Sequence, residues 1–359
     1  MCDMIAEQQT RRKPIRVLMV TGHYPTEHNP HANTFIKTQV DSLVAAGVEV
    51  EVMYPKTGLF LFSYISVAIQ VFLRTSTGRF DVVHGHYGHV ALIARMQWTT
   101  PTVVSFMGTD LLGRVTAHGN YSKKGALITW ISRRLCHRVD AVIVKSEEMK
   151  KATKATAADN IFVIPNGVDF ELFRPIARAE ARAALGWDQD RYYILFGNDP
   201  KKPWKGFPQA KAAVERLHAN GMTAELVIAN GLPQTILVQY INASNALILS
   251  SISEGSPNIV KEAMACNVPV VSTDVGDVSK VIANTRGCSV CPHDPEALAA
   301  ALEQALQHTE PTTGRIDIAH LERSVIAQQI IAVYEQVTSK KGQIKTHLFE
   351  KEKAYGNKT

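Results

Sequence analysis

Two short apolar runs, Ala246-Leu247-Ile248-Leu249 and Val268-Pro269-Val270-Val271, flank a stretch that opens with turn residues and continues as a helix. Short apolar runs bounded by turn formers read as strands buried on both faces. Strands joined through a helix pair in parallel, so this unit commits the region to a layered α/β sheet. Between the runs stand Ser253-Glu254-Gly255-Ser256-Pro257-Asn258. Ser256 is expected as the helix N-cap and Pro257 at the first helical position, where no N–H is needed. Glu254 then lies on the loop, and Glu262 about a turn and a half inside the helix. The free N–H groups of Asn258, Ile259 and Val260 favour an anion at the helix start. With Gly255 and Ser256 beside them, these residues offer a carboxylate, an anion hole and a second carboxylate. A sugar nucleotide asks for all three, through its sugar hydroxyls, its diphosphate and its ribose.

The same pattern of apolar runs and helical stretches recurs along the chain. Strands are expected at Arg16 to Val20, Val48 to Met53, Asp81 to His84, Thr102 to Phe106, Val139 to Val144 and Ile161 to Ile164. A helix from about Asn33 to Ala46 follows the first of them, and Gly47 ends it. No G-x-G-x-x-G follows the first strand, and the second ends Met53-Tyr54-Pro55 without an acidic residue for a ribose, which disfavours an NAD or FAD enzyme. The turn Asn166-Gly167 closes a first domain of residues 14–175. A second domain, 176–321, carries strands at Tyr192 to Phe196, Glu225 to Ala229 and Ala246 to Ser250. Between the last two lies one loop and one short helix, Asn230 to Asn245. Residues 322–338 read as a long amphipathic helix, and 339–359 as a polar tail that frays.

Ser-Glu-Gly-Ser-Pro-Asn, Lys-Glu-Ala-Met-Ala-Cys and Pro-Val-Val-Ser-Thr-Asp-Val-Gly closely resemble the nucleotide-sugar motif of the family 4 retaining glycosyltransferases. Pro165-Asn166-Gly167-Val168-Asp169 resembles the family's lead into its interdomain crossover. The resemblance spans about residues 15 to 338 and looks most like the bacterial cell-surface polysaccharide type. It implies two facing Rossmann-like domains with the donor in the cleft between them (the GT-B fold) and a last helix crossing back to the first domain. By the same resemblance Glu254 contacts the donor sugar and Glu262 holds the ribose. Lys205, in Trp204-Lys205-Gly206, takes the family's diphosphate-binding Lys-Gly place. Asn198 stands where the family commonly has Arg, and Lys202 is expected to supply that charge. Met107 stands where the family string before Gly108-Thr109-Asp110 commonly has His. Asp110 is the remaining catalytic candidate there, with His23, His86 and Thr109 as acceptor or cleft residues. Ala32-Asn33 replaces a common Gly pair.

The donor expected is a nucleotide-diphosphate sugar, UDP-linked before GDP-linked, with no cofactor. No Asp-x-Asp loop for a metal is evident, so fixed charge is expected to stabilise the leaving diphosphate. The acceptor expected is a saccharide, lipid-linked where the product is a surface polysaccharide. Two rivals remain open at this point: a sugar-nucleotide epimerase of the same fold, and a non-catalytic nucleotide-sugar-binding subunit of an assembly complex.

Five scattered cysteines among 359 residues form no disulfide framework and fit a reducing cytoplasm. Cys288-x-x-Cys291 lacks a second pair and reads as coincidence. Met1 to Lys13 is polar, without the apolar run of a signal peptide. The net charge of +6 lies entirely in residues 1–175, which hold 20 Lys+Arg against 14 Asp+Glu. The apolar run Leu59 to Leu73 is too short to span a bilayer. Lys123, Lys124, Trp130, Arg133, Arg134 and Arg138 place cations and an aromatic at helical spacing. A cytoplasmic protein touching an anionic membrane surface follows from these, and nucleic acid is not expected as a partner.

Overall fold

The computed structural model describes residues 13–27, 33–55, 60–113, 122–154, 160–308 and 310–356. Among the described residues, eleven strands form two parallel sheets. The first has strands β1 (Arg16–Val20), β2 (Glu49–Met53), β3 (Val82–His86), β4 (Thr102–Ser105), β5 (Ala141–Val144) and β6 (Ile161–Val163), in the order β2-β1-β3-β4-β5-β6. The second has β7 (Tyr192–Phe196), β8 (Ala224–Ile228), β9 (Ala246–Leu249), β10 (Val270–Thr273) and β11 (Ser289–Cys291), in the order β11-β10-β9-β7-β8. Every described ladder is parallel, with Val17 opposite Val82 and Ile194 opposite Ala246. Central strands β3, β4, β5 and β9 are buried at every position, because helices cover both faces.

Six of the helices matter to the argument that follows: α1 (Thr34–Ala45), α2 (Phe60–Ser76), α3 (Gly88–Ala94), α4 (Lys123–Cys136), α5 (Asn258–Ala265) and α6 (Arg323–Gly356). The strand ends expected from the sequence agree with the observed ones to within about two residues. β11 was not anticipated, since Ser289-Val290-Cys291 is too short to signal a strand. The loop and short helix between β8 and β9 are present, the helix spanning Gln234–Ala243.

The last helix departs most from expectation. It runs unbroken to Gly356, so the tail expected to fray continues the helix through that residue. Its first turns pack on α1, and the Tyr334 hydroxyl reaches His84 Nδ1 at 2.6 Å. Tyr334 and His84 are both fully buried, so the end of the chain completes the core of the first sheet. Two crossings thus meet in one place. Val168 donates to Leu321 O and accepts from Arg323 N, while Arg323 pairs with Asp169 at 2.5 Å.

Both sheets present the carboxyl ends of their strands to a shared cleft. The two units touch across it through backbone. A Cβ placed on Gly255 would lie 2.9 Å from Met107 O and 3.2 Å from Gly108 Cα, so only glycine lets these loops meet. Asn166 Nδ2 donates to Asn258 Oδ1 at 3.2 Å a short way along the same seam.

Candidate donor site in the interdomain cleft

In each sheet the strand order reverses beside the first strand, between β1 and β3 and between β7 and β9. Open α/β sheets bind ligands in the crevice at such reversals. The loops after β7 and β9 and the residues after β3 and β4 all meet there, around a cleft of about 520 Å³. That volume suits a nucleotide-sized ligand.

Lys205 ends a single 3₁₀ turn, Pro203–Lys205, and Gly206 follows in the left-handed region at φ 69°. Lys205 Nζ meets Glu254 Oε1 at 2.6 Å, and the two side chains are only 17% and 13% exposed. Ser251 Oγ donates to the same carboxylate oxygen at 2.7 Å. The sequence singled out Lys205 and Glu254 separately, 49 residues apart, and the structure joins them into one charged pair on the cleft wall. A shielded pair of this kind keeps its position without being neutralised by bulk water.

The helix start differs from expectation by one residue. α5 begins at Asn258, with Pro257 as an extended N-cap (ψ 118°), and Ser256 does not cap it. The reason is competition for the hydroxyl. Ser256 Oγ donates to Asp277 Oδ2 at 2.6 Å and accepts from Lys261 Nζ at 2.8 Å. The anion hole survives the change, because the first-turn N–H groups of Asn258, Ile259 and Val260 remain the open ones. Asn258 and Ile259 line the cleft with Gly255 and Ser256, whereas the Val260 side chain is fully buried in the core and has only its backbone to offer.

Glu262 also lines the cleft, and burial pushes its carboxyl up to about 7 against the opposing pull of Lys261. A carboxyl whose folded value lies above its unfolded value near 4.5 favours the fold while it is protonated. That stability is present below the unfolded value and is lost as pH rises through about 7. Glu262→Gln should therefore flatten the fall in stability between those two values, an effect of up to about 3 kcal/mol. Denaturant melts across that window check this, and unchanged slopes would place the titration elsewhere.

Lys202 lines the cleft but is half exposed and stands 3.9 Å from Asp199, a loose solvated pair. Asn198 was noted only as a departure, yet it reaches the same wall, and its buried Nδ2 finds no partner. An unpaired buried donor on a cleft wall matches a ligand oxygen. Its signal in the sequence was its place directly after β7.

A second cavity of about 330 Å³ adjoins the first on the side of the first sheet, and Tyr87 and Thr109 line both. His23, His89 and Asn33 line it with Thr109, so the candidates His23 and Thr109 border one cavity beside the cleft. Asp110 borders it as well, but its carboxylate accepts the N–H groups of Gly88, Met107 and Gly108. Burial pushes this carboxyl up to about 6 against those bonds. Its visible work is to hold the Met107–Gly108 loop.

His86 is a correction. It lines neither cavity and is fully buried, stacked on His84 with centroids 4.4 Å apart. Both lie on one face of β3, as residues two apart in a strand must, beneath α1 and α6. Burial holds the imidazole well below its ordinary pKa, so it is neutral in the core. Cys288 and Cys291 are taken up by the sheet, Val270 N–H donating to Cys288 Sγ and Cys291 Sγ donating to Ser272 O. Among the described residues no cluster of three or more His, Cys, Asp or Glu could hold a metal.

Two facing Rossmann-like units with a cleft between them define the GT-B class of glycosyltransferase fold. Solved structures agree. Sucrose-phosphate synthase from Thermosynechococcus elongatus superposes with a TM-score of 0.71 at 18% identity, over 91% of this chain and 100% of that one. Anabaena HepE in complex with UDP and glucose gives 0.65 at 15% identity, over 90% and 100%. Residues 3–172 match the family model Glycosyltransferase Family 4, and 180–308 match Glycosyl transferases group 1. The putative teichuronic acid biosynthesis glycosyltransferase TuaC of Bacillus subtilis is 23% identical over 352 residues, 80% of this chain and 88% of TuaC. The chain belongs to the family 4 glycosyltransferases and is a transferase enzyme.

Proposed function

We propose that the protein is a retaining, metal-independent transferase that moves a sugar from a UDP-sugar to a lipid-linked saccharide in surface-polysaccharide assembly. The observation that carries this reading is the Lys205–Glu254 pair on the wall that also bears the open start of α5. The diphosphate lies against the α5 N–H groups, Lys205 and the unpaired Asn198 amide, and Glu262 accepts from ribose hydroxyls. Glu254 faces the donor sugar. The bond from the sugar C1 to the leaving phosphate oxygen breaks as C1 bonds the acceptor oxygen on the same face. The acceptor proton passes to the departing phosphate oxygen, and UDP leaves carrying charge that Lys205 and the helix start stabilise. The cavity at His23, His89 and Thr109 receives the acceptor saccharide. The likeness to TuaC, named as a putative teichuronic acid biosynthesis glycosyltransferase, supports a polysaccharide product, and UDP in the HepE complex supports a UDP-linked donor.

The test is product analysis with labelled UDP-sugars and lipid-linked saccharides in excess chelator. A new glycosidic bond is expected, formed at an undiminished rate. An epimerised sugar nucleotide, or UDP binding without turnover, would replace this reading with an epimerase or a binding subunit.

The membrane part of the proposal rests on one face of the first unit. α2 packs on α3, and α3 on α4. Ten of the eighteen large apolar side chains exposed among the described residues lie on or beside these three helices, including Phe62 at 71% and Trp98 at 73%. Phe72 and Trp98 meet edge to face, 6.3 Å apart. Leu127 and Trp130 continue the face on α4, with the Arg134 guanidinium 5.4 Å over the Trp130 ring. Residues 52–139 hold ten Lys+Arg against two acids, Asp81 and Asp110. An apolar face within so one-sided a charge fits the interface of an anionic bilayer. No described helix is long and apolar enough to cross one. The triple variant Phe62→Ser, Trp98→Ser, Trp130→Ser should lose co-sedimentation with anionic vesicles and keep its UDP affinity. Equal co-sedimentation of variant and parent would remove the membrane from the proposal.

A further inference from the structure

Lys261 lies behind the cleft wall and does not itself line the cleft. Its side chain is 1% exposed, and it is absent from the residues lining either cavity. A buried ammonium persists only where its donors are used. Lys261 spends them on two separate places. It donates to Ser256 Oγ at 2.8 Å, on the donor loop, and to Asn166 O at 3.1 Å, on the strand-to-crossover turn. Ser256 passes the contact on to Asp277 at 2.6 Å, which sets a carboxylate near the buried charge. The turn it grips is where the two interdomain crossings meet, since Gly167 lies against Arg323, with a Cβ there only 2.7 Å from Arg323 Cα. Asn166 also reaches Asn258, the first residue of α5.

We infer that Lys261 is a positioning residue for the donor diphosphate: through Ser256 it fixes the loop before α5, and through Asn166 it ties that loop to the interdomain crossover. The inference rests on the donor reading above. Without the ammonium, Ser256 Oγ keeps only Asp277 and loses the partner that ties it to the crossover turn, so the Gly255–Ser256 backbone is held less firmly against the α5 start. The anion then meets a wall that has to reorganise as it binds. The arrangement also places a fixed positive charge beneath the anion hole, screened from water by its burial.

Lys261→Met keeps the length and volume of the side chain and removes the charge. Ser256→Ala keeps Lys261 and removes the link. Titration calorimetry with UDP reads the affinity of the folded molecules separately from their number, so lost folded protein alone leaves the dissociation constant unchanged. Each variant should weaken UDP about tenfold, equivalent to about 1.4 kcal/mol. The double variant should be little weaker than the weaker single, because the two residues act through one link. Lys261→Met binding UDP like the parent, or a double variant whose losses multiply, would overturn the inference. If Lys261→Met fails to fold, Ser256→Ala decides alone, and parental affinity in it overturns the inference. A parent protein that does not bind UDP would overturn the donor reading itself, which separates the two failures.

Discussion

Lys205→Ala should lower turnover by about 10²–10³-fold while changing UDP affinity by less than about tenfold. Charge on the leaving diphosphate grows toward the transition state, so a fixed ammonium contributes more to turnover than to ground-state binding. The structure adds a second reason. Lys205 is the cationic partner of a shielded Glu254, and its removal leaves that carboxylate with only the Ser251 hydroxyl. An uncompensated negative charge on the donor wall repels the diphosphate, so Lys205→Ala combined with Glu254→Ala should be less damaged than the product of the two single losses. Turnover and UDP calorimetry on the four proteins check this. Parental turnover in Lys205→Ala would remove Lys205 from the reaction, and Lys202, half exposed on the same wall, would be the cation to examine next.

Gly206→Ala should be the most disruptive single-methyl change beside the cleft. Gly206 sits at φ 69°, and a Cβ there would lie 1.8 Å from the Ser250 carbonyl oxygen. That oxygen belongs to the backbone, so it cannot step aside as a flexible side chain could. The left-handed conformation costs alanine about 1–2 kcal/mol, and the forced displacement brings the total to on the order of 3 kcal/mol. The displaced segment carries Lys205, whose contact with Glu254 tolerates little movement. A melting temperature lower by several degrees and turnover as low as that of Lys205→Ala are expected. A variant with parental melting and parental turnover would show that the loop is free to rearrange.

Much of this was legible in the sequence, for identifiable reasons. Buried parallel strands are continuous apolar runs, so ten of the eleven strands announce themselves, and only the three-residue Ser289–Cys291 does not. Glu254, Glu262 and Lys205, which line one cleft, could be picked out because they stand in strings that resemble the family's nucleotide-sugar motif. Their mutual geometry was not legible: nothing local to residue 205 says that it meets residue 254. Ser256 misled because capping propensity is a local rule, and a buried lysine five residues on outbid it. His86 misled because a histidine near a strand end suggests a cleft, whereas its two-residue spacing from His84 places both on one covered face. Lys261 gave no signal, since a lysine beside a glutamate on a helix reads as solvated surface until burial is known.

The Tyr334–His84 hydrogen bond joins residues 250 positions apart. A ribosome delivers the six strands of the first sheet long before it delivers residue 334. Until then the face of β3 that carries His84 and His86 lies under α1 alone, and His84 Nδ1 lacks its hydroxyl partner, although His84 Nε2 keeps Ser105 and His86 keeps Gln39. The first half of the chain, expressed alone, should therefore be a poor folding unit even though its sheet is complete. During synthesis it should hold a chaperone-accessible groove that closes only when the last helix docks, so the first unit is finished by the last segment to be made.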